Sequence, residues 1–92
     1  MAHSKLAKQT RKDARRDAAA AHQLAEWYYW GEEGLSRDLK LSMKWEREAA
    51  ERGCADAQHG LGAAYSEGCM GLQVDHAIAR AWFQKAALQG RA

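Results

Sequence analysis

The sequence predicts an all-α chain: an α-solenoid fragment of two antiparallel helix pairs, preceded by a basic helical extension. Three observations carry that prediction. The 92 residues contain no proline, and alanine is the commonest among them, a composition that favours helix throughout. Residues 18–55 align without a gap on residues 55–92 at an offset of 37, and 14 of the 38 pairs are identical, where chance would give roughly two or three. Within each copy the apolar residues step by four, the spacing of one helix face.

Residues 1–17 are polar, with Leu6 the only large aliphatic side chain after Met1. Ser4 can cap a helix here, and Lys8, Lys12 and Arg15 then stand at i, i+4 and i+7 as a stripe. The segment holds six basic residues, among them Lys8, Arg11, Lys12, Arg15 and Arg16, against two acidic ones; the remainder holds eight against ten. A basic arm thus precedes a mildly acidic body. It reads as a helical extension kept soluble by charge, or as a handle for phosphates or an acidic surface.

The first unit spans 18–54. Ala20, Leu24 and Tyr28 mark the buried stripe of a helix over 18–31, and Gly31 stands where a left-handed C-cap wants glycine. A connector with Gly34 and Leu35 leads to Asp38, a cap or first-turn anion for a second helix over 38–53. Leu41, Trp45 and Ala49 are its stripe, and Gly53 ends it. The second unit, 55–92, repeats the pattern in helices over 55–68 and 75–90, with Ala57, Leu61, Tyr65, Gly68, Gly71, Asp75, Ile78, Trp82, Ala86 and Gly90. Ala25, Gly62 and the pairs Ala49-Ala50 and Ala86-Ala87 let paired helices approach closely, while Trp45 and Trp82 fill the wider space within their own units. One pair cannot bury its own stripes, so the two pairs stack.

At these residues the chain resembles the Sel1-like repeat family, relatives of the tetratricopeptide repeats. Leu61-Gly62, Tyr65, Gly68, Gly71, Asp75, Ala81-Trp82-Phe83, Lys85-Ala86-Ala87 and Gln89-Gly90 carry the match. The first copy departs from it at Ala25, Glu46 and Glu48, where the second has Gly62, Phe83 and Lys85. The resemblance implies a right-handed superhelix of helix pairs used as an adaptor for protein complexes, with no cofactor and usually no catalysis.

Four consecutive aromatics, Trp27-Tyr28-Tyr29-Trp30, lie about 100° apart on a helix and point nearly all the way round it. Tyr28 recurs as Tyr65, but Trp27, Tyr29 and Trp30 face Ala64, Ser66 and Glu67. Tyr28 therefore belongs to the repeat template and the other three are extras. Under tetratricopeptide-like geometry the concave face is lined by His22, Glu26, Tyr29 and Trp30, then by His59, Ala63, Ser66 and Glu67. Trp27 and Trp30 either pack under the N-terminal extension or join Tyr29 in an anchor patch beside acidic residues, a composition typical of binding hot spots. The expected partner contacts are His22, Glu26, Trp27, Tyr29, Trp30, His59 and Glu67.

No constellation points to catalysis. Cys54 and His59 have no orienting acid at a sensible spacing, and Cys69 lies in a connector. Stacked first helices would place His22 and His59 about 10 Å apart with only Glu26 as a further ligand, so no metal is expected. No glycine-rich phosphate loop is present, and no cofactor is expected. Two cysteines form neither a disulfide framework nor a metal pattern, which fits a reducing compartment. No run approaches a signal peptide or the ~20 apolar residues of a membrane span, so a cytoplasmic, membrane-independent protein is expected.

The function expected is a stand-alone protein-binding module, an adaptor, regulatory subunit or inhibitor that holds or blocks a partner protein complex through its aromatic surface. The alternative is a nucleic-acid binder using the basic arm. Because Gly90-Arg91-Ala92 ends where a third unit would begin, Ile78 and Phe83 are expected to form an uncovered strip, closed by a two-fold homodimer or by a partner.

Overall fold

The computed structural model describes residues 5–69 and 71–90, and the described residues are helices joined by short turns. The helices are α1 (Lys5–Asp13), α2 (Ala18–Trp30), α3 (Leu39–Glu51), α4 (Ala55–Glu67) and α5 (His76–Leu88). Ser4, expected to cap α1, and Arg91-Ala92 at the predicted open end lie outside the described residues. Each helix packs chiefly against its neighbours in the chain: α1 on α2, α2 on α3, α3 on α4 and α4 on α5.

The turns follow from local chemistry. Gly31 and Gly68 close α2 and α4 in the left-handed region, at φ 72° and 70°, where a Cβ would be strained. Asp38 and Asp75 cap α3 and α5 by accepting from the amides of Leu41 and Ile78 at 3.0 Å. Asp17, not anticipated as a cap, does the same for α2 by accepting from Ala19 N–H.

The hairpin register of the first unit is fixed by three contacts in descending order. Asp38 N–H donates to Tyr28 O at 2.8 Å, Ser42 Oγ donates to Ala25 O at 2.7 Å, and His22 Nδ1 meets Glu46 Oε1 at 2.7 Å. As the number rises on α3 it falls on α2, so the pair is antiparallel. In the second unit Asp75 N–H donates to Tyr65 O at 3.0 Å.

One buried cluster crosses the boundary between units, joining Ala14, Ala21, Leu24, Trp27 and Tyr28 to Ala49, Ala50, Ala57 and Leu61. Gln58 ties the seam by donating to Ala50 O at 3.0 Å and accepting from Gln89 Nε2 at 2.9 Å. A body of 41 × 25 × 17 Å has little interior, and Leu24 and Leu61 are its largest fully buried side chains. Trp45 and Trp82 are accordingly half-buried, packed against the cluster. Their ring faces carry Lys44 and Lys85, at 5.3 and 4.5 Å.

Over residues 5–17 the arm is a helix followed by a turn, docked through small or polar groups. Ala14 is 0 % exposed and Thr10 8 %. The Arg52 guanidinium, paired with Glu48 at 3.1 Å, donates to the Ala14 carbonyl and so ties the turn to the end of α3. Lys8, Arg11, Lys12, Arg15 and Arg16 all remain exposed. Trp27 requires a correction. It was expected among the partner contacts, but it is 8 % exposed and belongs to the core cluster that includes Ala14 and Ala21. With α1 packed on α2, this position has a neighbour that a large ring can fill against.

Candidate groove between the first helices of the two units

A groove opens between α2 and α4, floored by α3. On α2, His22, Ala25, Glu26, Tyr29 and Trp30 face it. This is the i, i+3, i+4, i+7, i+8 pattern of one helical face. On α4 the lining is Asp56, His59, Gly60, Ala63 and Ala64, while Ser42 and Glu46 rise from α3 and Cys69 lies at the edge. The space, about 570 Å³, admits a few side chains rather than another helix.

Trp30 is the most prominent feature. Its residue is 66 % exposed, and its ring stands edge-on to Tyr29 at 4.8 Å and 78°. Tyr29 is in turn held by Arg37, whose guanidinium lies 5.7 Å from the ring centroid while Nε donates to Tyr29 O at 3.0 Å. Trp30 is thus a large apolar surface at the rim, backed by a braced ring.

At the base, His22 lies between two carboxylates. Nδ1 meets Glu46 Oε1 at 2.7 Å and Nε2 lies 3.5 Å from Glu26 Oε1. The hydrogen bond to Glu46 raises the His22 pKa; burial opposes this, and the charges of Glu46, Glu26 and Asp56 add to the rise. Glu46 also fills the space above Gly60, where an added Cβ would come within 2.6 Å of Oε2. In the second unit His59 finds Phe83 instead, ring to ring at 5.3 Å.

The structure brings His22, Glu26, Tyr29, Trp30 and His59 together as expected contacts of one surface, but not the rest. Glu67 is exposed outside the groove lining, and Ser66 lines a shallow concavity on the far side with His76, Ala79, Arg80, Phe83, Gln84 and Ala87. Phe83 is half-buried there and Ile78 is 39 % exposed without joining that lining. Asp56 and Glu46 were missed. Glu46 was legible in principle, because a hairpin that pairs 28 with 38 and 25 with 42 must bring 46 near 22. Among the described residues no group of three or more His, Cys, Asp or Glu side chains is disposed to hold a metal ion. No helix among them is long and apolar enough to cross a membrane.

A family model for the Sel1 repeat matches residues 18–54 and again 55–90. The chain belongs to the Sel1 repeat family. Sel1 repeats are protein–protein interaction modules, and the fold is an interaction scaffold. The chain superposes on a Sel1 repeat protein from Oxalobacter formigenes with a TM-score of 0.80 and 34 % identity, over 91 % of this chain and 63 % of that one. It superposes on a protective antigen of uropathogenic Escherichia coli strains, which displays an SLR fold, with a TM-score of 0.82 and 36 % identity, over 91 % of this chain and 18 % of that one. It is also 35 % identical over 68 residues to Chitin synthase regulatory factor 3 of Schizosaccharomyces pombe, which is 73 % of this chain and 7 % of the relative's length.

The two Sel1 repeats therefore differ most where the groove is built. Glu46 in place of the template aromatic turns the ring contact of the second unit, His59 to Phe83, into a charged contact in the first, His22 to Glu46. A test follows from linkage. The folded-state pKa of His22 lies above its unfolded value of 6.5, so the folded chain holds that proton more tightly. The stabilisation is fully present below pH 6.5 and is lost as the pH rises through the raised value. Urea midpoints measured across that window should fall with rising pH, and Glu46→Gln should flatten the slope. An undiminished slope in the variant would assign the dependence to another group.

Proposed function

We propose that this chain is a binding module that holds or blocks a partner protein by seating a segment of it in the α2–α4 groove, with Trp30 as the anchor. The observation that carries the reading is the 66 % exposure of Trp30 on a braced ring beside an open groove. The second repeat has Glu67 at the same position, so the fold has no need of an aromatic there. An exposed indole at the rim of a concave surface is the kind of residue that dominates interface energetics. The 35 % identity to a regulatory factor supports an adaptor, regulatory-subunit or inhibitor role.

A photoreactive side chain at position 30 should crosslink a partner in the native cell, while the same group at Leu88, an exposed site on α5, should not. With the partner in hand, Trp30→Ala should leave helical circular dichroism and melting temperature intact. It should weaken binding by about 2 kcal/mol or more, roughly thirtyfold in Kd. Unfolding of the variant, or undiminished affinity, would dismiss Trp30 as the anchor.

A further inference from the structure

We propose that the groove selects a basic side chain, arginine or lysine, presented by an extended segment of the partner protein, with the cation seated over Trp30 and beside Glu26. This rests on the groove being the docking site, and it names what the groove recognises.

The groove and a cation are complementary in charge. Glu26, Glu46 and Asp56 line the groove, and among the described residues its only basic ones are the two histidines, His22 and His59. Yet the chain as a whole carries a formal charge of +2. An acidic occupant would meet Glu26 and Asp56 as well as Glu46, whose charge His22 partly offsets through its hydrogen bond at 2.7 Å. A wholly apolar occupant would strip water from Glu26, which is half exposed at the side-chain level, without replacing its hydration. A guanidinium or ammonium group supplies what both lack.

Glu26 and Trp30 are one helical turn apart on the same face of α2, so a carboxylate and an aromatic ring border one spot. That pairing binds cations by charge and by ring quadrupole together. Ala63, partly exposed in the same groove, gives the methylene stem of such a side chain an apolar surface to lie on. The molecule uses this chemistry internally on four of its other rings. Arg37 lies over Tyr29, Lys44 over Trp45, Arg47 over Tyr65 and Lys85 over Trp82. Trp30 is more exposed than any of these, and its cation comes from outside.

The test uses the full chain, labelled with nitrogen-15, and three blocked pentapeptides of sequence Gly-Ala-X-Ala-Gly, where X is arginine, citrulline or glutamate. Citrulline keeps the shape of arginine and removes the charge. The arginine peptide should shift the Trp30 indole N–H and the amides of Glu26 and Ala63, at concentrations up to about 10 mM. Trp30→Ala and Glu26→Gln should each weaken it roughly two- to fivefold, the worth of an exposed cation–π contact or ion pair. Raising salt from about 0.05 to about 0.5 M should weaken it further. Equal binding of the citrulline peptide would overturn the inference while leaving groove docking in place. Shifts confined to α1 or α5 would overturn the groove itself. No shift with any peptide would overturn the basic-residue inference, and the Trp30→Ala result with the native partner would still decide the docking reading on its own.

Discussion

Replacing Leu61 by alanine should cost about 3–5 kcal/mol, and Leu24→Ala should match it to within about 1 kcal/mol. Both leucines are 0 % exposed and occupy equivalent places in the two repeats. Their cluster includes Ala21, Ala49, Ala50 and Ala57, which have no rotamers with which to fill a hole. The cost of such a cavity depends on how far the surroundings collapse, and backbone-close alanines collapse little. Against a total of roughly 5–15 kcal/mol for a domain, either substitution removes a large share of the stability. Because the cluster crosses the boundary between repeats, unfolding should remain one transition, with helical circular dichroism and tryptophan fluorescence coinciding in urea. A cost near 1 kcal/mol, or a separate transition for one repeat, would contradict a single shared core.

The sequence reading and the structure agree where the determinants are local. Gly31, Gly68, Asp38 and Asp75 act through their own backbone or the next turn, so the four repeat helices fall within about two residues of their expected bounds. The docking of α1 was legible only as one of two readings of Trp27 and Trp30, since its own contacts are made by Thr10, Ala14 and a backbone carbonyl rather than by an apolar stripe. Trp27 misled for a related reason. Its counterpart Ala64 is also buried, at 3 %, so the position is core in both repeats, and the difference in size recorded a different neighbour.

The groove teaches a separate lesson. Residues 66 and 67 were expected in it because 29 and 30 are, by translation along the repeat. A groove between two translated helices is lined by opposite sides of them, however, not by equivalent positions. The structure accordingly uses Asp56, Gly60 and Ala64 of α4 in place of Ser66 and Glu67. Only His59 and Ala63, on the side shared by both descriptions, were anticipated on that helix.

Gly62→Ala should destabilise the chain, although the same change elsewhere in a helix gains about 1 kcal/mol of propensity. A Cβ on Gly62 would meet Cδ1 and Cε1 of Phe83 at 2.9 Å and the Ala79 carbonyl oxygen at 3.2 Å. Relieving this requires Phe83 to leave its contact with the His59 ring, at 5.3 Å, or the helices to part. Overpacking of this kind costs about 1–3 kcal/mol, so the net effect should be a loss. The first repeat already contains the compensated solution, with Ala25 at the glycine position and Glu46 in place of the ring. Two of the three departures from the family pattern, Ala25 and Glu46, therefore form one coupled change. In a Phe83→Glu background, which also puts a carboxylate beside His59 as Glu46 stands beside His22, Gly62→Ala should become neutral or stabilising. The coupling measured in a double-mutant cycle should reach about 1–3 kcal/mol. If Gly62→Ala instead stabilises the parent chain by its full propensity, Phe83 yields freely and the two positions are independent.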